Sequence, residues 1–583
     1  MKDNLEKIRH SLSHLMAMAV LEKFPKTKLG IGPVIENGFY YDFDTSISDT
    51  DLPKIEKRMR ELIRQDLKFK KEVITLSEAK KLFRNEPYKL ELIKELHGSK
   101  KPITTYTTSS PRKSASSPRE SAFFVDLCAG PHIKSTKEIN PDAFKLTKIA
   151  GAYWKGDEKN QMLTRIYGVA FNNKKELDEY LKLQEEAEKR DHRKLGKELD
   201  LFSFHDEGHG FPFWHAKGTI LYSQLENFIR KENEKRGYKE VKTPIILNKK
   251  LWETSGHWEK FKDDMYFIDI DDQEFAVKPM NCPGTTLIYK EKLHSYRDLP
   301  VRYAEFGLVH RHELSGVLHG LFRARSFTQD DAHSYCAPKQ LNDEIINMVD
   351  YAVDVYKAFG FNEYEIFIAT KPEKYIGDNN SWEKATEALN KALKEKKLNY
   401  EIKKGEGAFY GPKIEFNVKD AIGRNWQLGT IQVDFSMPQR FNAFYIDEKG
   451  NKQIPVMIHR AILGSLERFI GILIEHYAGA LPVWLSPIQT IIIPVSEKFN
   501  NYGEKILKEL KNNNIRGEID NSNETLGKRI RNAEIQKIPY ILIVGEKEIK
   551  SNNVAVRSRD DKQNVVKLEK FLEKILKENA ALR

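Results

Sequence analysis

The chain has 583 residues, 40% of them hydrophobic and 11% aromatic, which excludes a single core and predicts about three or four globular domains. No apolar run nears the roughly 20 residues that cross a bilayer: Phe469–Ile474, the best candidate, stops at Glu475, and the start of the chain carries Asp3 and Glu6 without a cleavage-like site. Three cysteines exclude a disulfide framework and fit a reducing cytoplasm, while a net charge of +11 suits a polyanionic partner without requiring one.

Residues 1–170 read as one α+β domain. RHSLSHLMAMAVLEKF predicts a helix with Leu12, Leu15, Met16 and Ala19 on one face. His10 and His14 stand at i, i+4, so they share a face and can converge on one ligand. Cys128 and His132 repeat that spacing in FVDLCAGPH, where Gly130–Pro131 predicts a loop, so convergence needs a turn. By type, these four residues complete a zinc set. Ordinary helix histidines and a buried cysteine explain the same pattern. Lys100–Ser121 is Ser/Thr-rich with two SPR repeats and predicts a flexible loop.

Residues 172–200 are densely charged and predict a solvated helical linker. PFWHAKGTILYSQLENFIRKENEKRGY predicts a long amphipathic helix with Leu221, Leu225 and Phe228 at helical spacing. The strand VKTPII should follow, with Pro244 ending its pairing. Next, Tyr303–Arg311 and Leu321–Gln329 predict two strands around a polar loop, His312–Gly320. They bring Arg311, Glu313, Arg323, Arg325, Gln329, Asp330, Asp331 and His333 to one neighbourhood. Arginines beside a loop suit a polyphosphate, whose oxygens accept paired guanidinium hydrogen bonds. A solvated hairpin with surface charges is the alternative. Pro455–Arg468 predicts a strand-to-helix unit with His459 and Arg468 near its ends. From Pro487, short strands alternate with helices, which predicts a small α/β domain.

Arg311–Glu313 with its loop resembles motif 2 of the class II aminoacyl-tRNA synthetases. Gly464–Arg468 resembles motif 3, and GYKEVKTP, ending at Pro244, resembles motif 1. KPMNCPG, TQDDAH and MIHRAI together resemble the threonyl-tRNA synthetase family over nearly the whole chain. The resemblance implies editing in 1–171, a helical linker in 172–200, an antiparallel class II catalytic domain in 201–486 and an anticodon-binding domain in 487–583.

It also implies roles. Cys282, His333 and His459 match zinc positions, and Cys336 falls outside that set. Arg311, Arg468 and Lys413 match catalytic positions, and Glu313, Arg323, Phe327, Gln427 and Thr430 join the arginines at ATP. Phe327 is expected to stack on the base and Glu313 to read its edge. Met280, Gln329, Asp331, Tyr410 and Gln432 match amino-acid positions, with Asp331 holding the ammonium. His10, His14, Lys89, Asp126, Cys128 and His132 match a water-filled hydrolytic pocket that removes serine, which favours water activation over a metal there. Tyr153 and Trp154 either face RNA or pack. Asn523, Glu548 and Arg557 match anticodon-reading positions, for which a helper or dimerisation domain is the alternative.

Threonine, ATP with Mg²⁺, tRNA(Thr), one zinc per subunit and a cytoplasmic homodimer are the implied partners. Selectivity gives the zinc a reason. A hydrophobic pocket separates threonine from isosteric valine only about 100-fold. A three-ligand zinc keeps a position that takes threonine's amine and hydroxyl. Serine shares both groups and leaks through, so a separate hydrolytic domain is needed. The family usually opens with a β-grasp domain of about 60 residues, and HxxxH at His10 leaves no room for one. Another class II synthetase, such as the prolyl or seryl enzyme, and a non-catalytic RNA-binding regulator are the alternative functions; a silent regulator is expected to have lost a motif arginine or zinc ligand.

Overall fold

The computed structural model describes residues 2–109, 123–560 and 563–580. The chain divides into two compact units, Met1–Glu185 and Glu186–Arg583. No helix among the described residues is long and apolar enough to cross a membrane.

In the first unit the helix Lys2–Lys23 is buried all round from Ser11 to Val20, not only along the predicted stripe. It enters a core with Phe39, Tyr41 and Phe43 of the strand Gly38–Asp44 and with Ile55, Met59 and Leu62 of the helix Leu52–Ile63. The strand Gly38–Asp44 lies in an antiparallel sheet beside Met162–Ala170, which pairs in turn with Phe144–Tyr153. Lys68–Val73, Thr104–Ser109 and Phe123–Leu127 form a second antiparallel sheet. The expected loop from Lys100 to Ser121 therefore begins as a strand. Its threonines are β-branched, and Thr104, Thr105 and Thr108 are buried between two partner strands. The rest of that stretch lies outside the described residues. Trp154 packs: it is buried and its indole donates to Glu91 at 2.8 Å, whereas Tyr153 is exposed.

The second unit is built on an eight-stranded sheet. Its order is Lys239–Glu240, Val301–His310, Ser326–Cys336, Val456–Ala461, Asn425–Asp434, Lys413–Lys419, Tyr364–Ala369, Glu401–Lys403. All its pairs are antiparallel except the two at the edges. Register places His333 opposite both Tyr303 and His459, and His459 opposite Gln432. Two residues along, on the same face, Asp331 meets Ala461, which meets Thr430.

Three sequence boundaries move. The second strand of the motif-2-like pair starts at Ser326, because Gly320–Phe322 forms a 3-10 turn first. VKTPII is mostly not a regular strand: pairing ends just before it at Lys239–Glu240, with Val241 still donating to Ala304 at 2.8 Å, Pro244 has no N–H to continue, and a new strand begins at Ile246, opposite Val277. The charged segment 172–200 is not uniformly solvated. Lys174–Arg190 buries only Leu177, but in His192–Glu198 the residues His192 and Leu195 are buried, and Leu195 and Leu199 join the core of the second unit.

The helix Ala216–Lys235 buries Leu221, Leu225 and Ile229, and Phe228 packs edge-on to Phe359 at 5.0 Å. Leu466–His476 is nearly all buried, capped by Ser465, whose hydroxyl accepts the Arg468 N–H at 3.1 Å. The C-terminal sheet runs Gly517–Ile519, Thr490–Pro494, Tyr540–Val544, Asn553–Ser558, Gln563–Lys567, parallel across its first three strands.

Candidate functional site

Two adjoining cavities of about 350 and 360 Å³ open on the eight-stranded sheet. Arg311, Gln329, Thr430 and Ala461 line both. The first cavity ends at Cys282, His333 and His459, whose ligand atoms lie within 4.8 Å of one another. Cys282 begins the helix Cys282–Lys290, and register alone brings the two histidines side by side. Gly307 lets the MNCPG loop approach this sheet: a Cβ there would lie 2.1 Å from Asn281 Nδ2. His333 Nε2 is buried and makes no hydrogen bond. His459 Nε2 donates to Asp434 at 3.2 Å, which leaves Nδ1 with a free lone pair. Burial, then Asp331 and Asp434, push the Cys282 thiol well up. This donor set fits a three-ligand metal. Cys336 stays outside it, buried in the core.

Asp331 accepts from Asn281 Nδ2 at 3.0 Å, and burial pushes its carboxyl up. Tyr410 hydrogen-bonds Gln432 and its ring lies 5.0 Å from His459. Met280 lines the same cavity. Asp330 does not join them. As strand neighbour of Asp331 it faces the other way, taking the N–H groups of Ile462 and Leu463 at 2.8 and 3.0 Å.

The second cavity holds Arg311, Glu313, Arg323, Phe327 and Arg468. Arg323 donates to Glu313 at 2.9 Å. Arg311 donates to Pro279 O at 3.3 Å and lies over the Phe327 ring at 5.1 Å. Arg468 donates to Gln427 O and Phe322 O at 3.2 and 3.1 Å. Among the described residues neither Arg311 nor Arg468 has a carboxylate at ion-pair distance. Two guanidiniums that donate only to backbone carbonyls are poised for an anion.

Lys413 and the Gln427 side chain line neither cavity. Lys413 pairs with Glu415 at 2.6 Å, and Gln427 donates to the same carboxylate at 2.9 Å. Their expected place came from the family resemblance, and Glu415 between them holds both side chains. Arg325 is drawn to backbone, donating to Glu313 O at 2.9 Å. Sequence reasoning missed His257, buried with Nε2 2.9 Å from Met280 Sδ and its pKa lowered by burial to about 3. The only signal was its place shortly before KPMNCPG.

In the first unit His10, His14, Cys128 and His132 converge within 4.8 Å. Cys128 Sγ lies 3.3 Å from His10 Nε2 and 3.2 Å from His132 Nε2. The needed turn is at Gly130, with φ of 79°. The second nitrogens of His10 and His132 are engaged elsewhere, whereas His14 Nδ1 is buried without a partner. His10 Nδ1 donates to Pro131 O at 3.1 Å, which leaves Nε2 bare. Ser11 Oγ gives its proton to Lys7 O at 2.8 Å, so His132 Nδ1 donates to it at 3.0 Å and His132 Nε2 is bare too. His14 Nε2 lies 3.6 Å from Asp126. Asp126 also pairs with Lys89 and accepts from Tyr41 at 2.6 Å. Tyr41 and Ser11 had no signal in sequence, since strand and helix packing place them. Burial first lowers the pKa values of His10, His14 and His132 and pushes Cys128 up to about 12. The cluster is thus neutral, with lone pairs facing a protonated thiol.

In the C-terminal region Asn523 is exposed before the helix Leu526–Ile535, Glu548 caps the helix Glu546–Ser551 through Gly545 N at 3.0 Å, and Arg557 pairs with Glu534 at 2.7 Å.

Three family models match the chain. The threonyl and alanyl tRNA synthetase second additional domain covers residues 106–167, the class II tRNA synthetase core (G, H, P, S and T) covers 265–477, and the anticodon binding domain covers 489–578. The threonine–tRNA ligase of Caldanaerobacter subterraneus subsp. tengcongensis is 54% identical over 98% of this chain and 87% of its own length. That of Carboxydothermus hydrogenoformans is 55% identical over 94% of this chain and 85% of its own. A crystal structure of the RNA binding domain of threonyl-tRNA synthetase from Cryptosporidium parvum Iowa II matches with a TM-score of 0.65 at 40% identity, covering 66% of this chain and 98% of that one. With identity this high over nearly the full length, and with cavities of this make-up on a class II sheet, the chain belongs to the threonine–tRNA ligase family of class II aminoacyl-tRNA synthetases.

Proposed function

We propose that the protein joins L-threonine to tRNA(Thr) through a threonyl-adenylate in its second unit, and hydrolyses seryl-tRNA(Thr) in its first. One observation carries the ligase reading. The donor set Cys282, His333 and His459 and the anion-ready pair Arg311 and Arg468 sit in adjoining cavities that share Arg311, Gln329 and Thr430. An amino acid at one end and a nucleotide at the other would bring carboxylate and α-phosphate together beside Arg311.

Cys282, His333 and His459 would hold the zinc. When bound it would supply a Lewis-acidic position for the amine and hydroxyl of threonine, which valine cannot fill. Asp331, held by Asn281, would take the ammonium. Arg311 would neutralise charge as the carboxylate oxygen attacks the α-phosphate and pyrophosphate leaves, with Arg323 and Arg468 on the outer phosphates. Mg²⁺ would arrive with ATP, Phe327 would stack on adenine, and a tRNA 3′-terminal hydroxyl would then displace AMP from the acyl carbon. Lys413 and Gln427, tied to Glu415, would act on the pocket through that carboxylate.

In the first unit the bare Nε2 atoms of His10 and His132 are the available bases for water, and the protonated Cys128 is a donor rather than a nucleophile. Four protein ligands would also fill a tetrahedral metal and leave no position for water, so hydrolysis favours a metal-free cluster. Lys89 and Asp126 would orient His14. Asn523, Glu548 and Arg557 would read the anticodon. We place the protein in the cytoplasm as a homodimer, joined through the Ala216–Lys235 side of the unit.

The test is ATP–pyrophosphate exchange with threonine, valine and serine separately. Exchange with threonine and serine and none with valine is expected. Silence with all three would leave a non-catalytic RNA binder.

A further inference from the structure

One buried histidine outside both cavities touches the loop that walls the second. His192 is fully buried at the start of the helix His192–Glu198. Its Nδ1 donates to Glu475 Oε1 at 2.7 Å, and its backbone N–H reaches the same oxygen at 3.0 Å. Nε2 accepts the backbone N–H of Leu321 at 3.0 Å. Both nitrogens are therefore engaged, and the neutral tautomer is set by its neighbours. With neither nitrogen free, this histidine offers no donor to a metal. Glu475 closes the far side, with Arg424 Nη2 2.6 Å from its other oxygen.

Leu321 and Phe322 line the arginine-rich cavity, and Arg323 follows them directly. The Phe322 ring packs 4.0 Å from that of His192, and its carbonyl accepts from Arg468 at 3.1 Å. Gly320 has φ of 51°, and a Cβ there would lie 2.4 Å from His192 Nε2. The loop thus runs directly over the imidazole edge. Glu475 lies in the last turn of the helix that carries Arg468.

We infer that His192 is a positioning residue for the nucleotide: by tying Leu321 to Glu475 it fixes the return limb of the loop, so that Arg323 and Arg468 meet one polyphosphate. Alanine cannot replace it, because the Leu321 N–H and the Glu475 carboxylate need an acceptor and a donor on one rigid ring. The inference rests on the nucleotide reading of the cavity.

The test uses the whole protein in ATP–pyrophosphate exchange, with melting temperature measured alongside. In His192→Ala the KM for ATP should rise about 10- to 100-fold, with the KM for threonine little changed. Added imidazole, filling the space left, should restore part of the loss. Glu475→Gln keeps the volume and should raise the ATP KM in the same direction by less, so a poorly folding alanine variant does not leave the idea standing by default. An unchanged ATP KM in either folded variant overturns it. So does a loss shared by ATP and threonine that imidazole does not relieve, which would mark a residue of the fold alone. If the wild-type protein itself shows no exchange, the nucleotide reading has failed instead.

Discussion

The two His/Cys clusters use the same side chains in opposite ways. In the first unit four donors converge, and the second nitrogens of His10 and His132 are fixed by Pro131 O and Ser11 Oγ. In the second unit three donors converge, Asp331 and Asp434 stand beside them, and His333 Nε2 has no hydrogen-bond partner. Three ligands with carboxylate support leave a metal one open place for substrate. Three neutral imidazoles around a protonated thiol serve better as acceptors and donors for water. Ligand count and the partners behind each nitrogen, rather than residue type, separate a cluster suited to a metal from one suited to water.

Metal removal breaks this comparison most sharply. A strong chelator should cut threonine-dependent exchange by roughly a thousandfold, the worth of several kcal/mol of Lewis-acid binding. Hydrolysis of supplied seryl-tRNA(Thr) should continue. Parallel loss of both, measured on one preparation, would mean that the N-terminal cluster also works through a metal. Arg311→Ala tests the same side without touching the donors. Exchange should fall about 100- to 1,000-fold, as for removal of one preorganised charge-stabilising donor, with deacylation unchanged. His14→Ala is the reciprocal variant. Seryl-tRNA(Thr) hydrolysis should drop about 100-fold while threonine activation holds. Unaltered serine removal would take His14 out of the pocket chemistry.

The two clusters were also unequally legible. His10 with His14 and Cys128 with His132 announce themselves by local spacing, and one turn at Gly130 completes them. Nothing local links Cys282, His333 and His459. The resemblance supplied those positions, and strand register supplies the physical reason they meet. What stayed hidden came from elements distant in sequence: Tyr41 behind Asp126, Asn281 against Asp331, His192 under Leu321. For Lys413 and Gln427 the sequence offered only the resemblance, and the structure shows both side chains held on Glu415. The strand Thr104–Ser109 was taken for loop because polar threonines look like linker until both edges are paired.

Acid should separate the two regions by a smaller margin. Burial lowers the pKa values of His10, His14 and His132. Below about 6.5 the unfolded imidazoles take protons that the native ones refuse, so this unit loses stability as pH falls. In the second unit burial pushes Asp330 up to about 6 and Glu467 up to about 7. These native carboxyls keep protons that unfolded ones release above about 4. Their contribution is full below about 4 and is lost as pH rises through about 6 and 7. His257 and His333, together with the more exposed His310, His319 and His476, are lowered by burial and act in the opposite sense, so the two signs offset each other in this unit. Between about pH 7.5 and 5.5 the first unit should therefore weaken by up to about 1.4 kcal/mol per pH unit for each proton bound only when unfolded, and the second should change less. Hydrogen exchange on the intact protein, followed in Lys2–Lys23 and Leu466–His476, measures both at once. Faster exchange confined to the first segment is expected; equal acceleration in both would mean that three buried neutral imidazoles do not govern the acid response of the hydrolytic pocket.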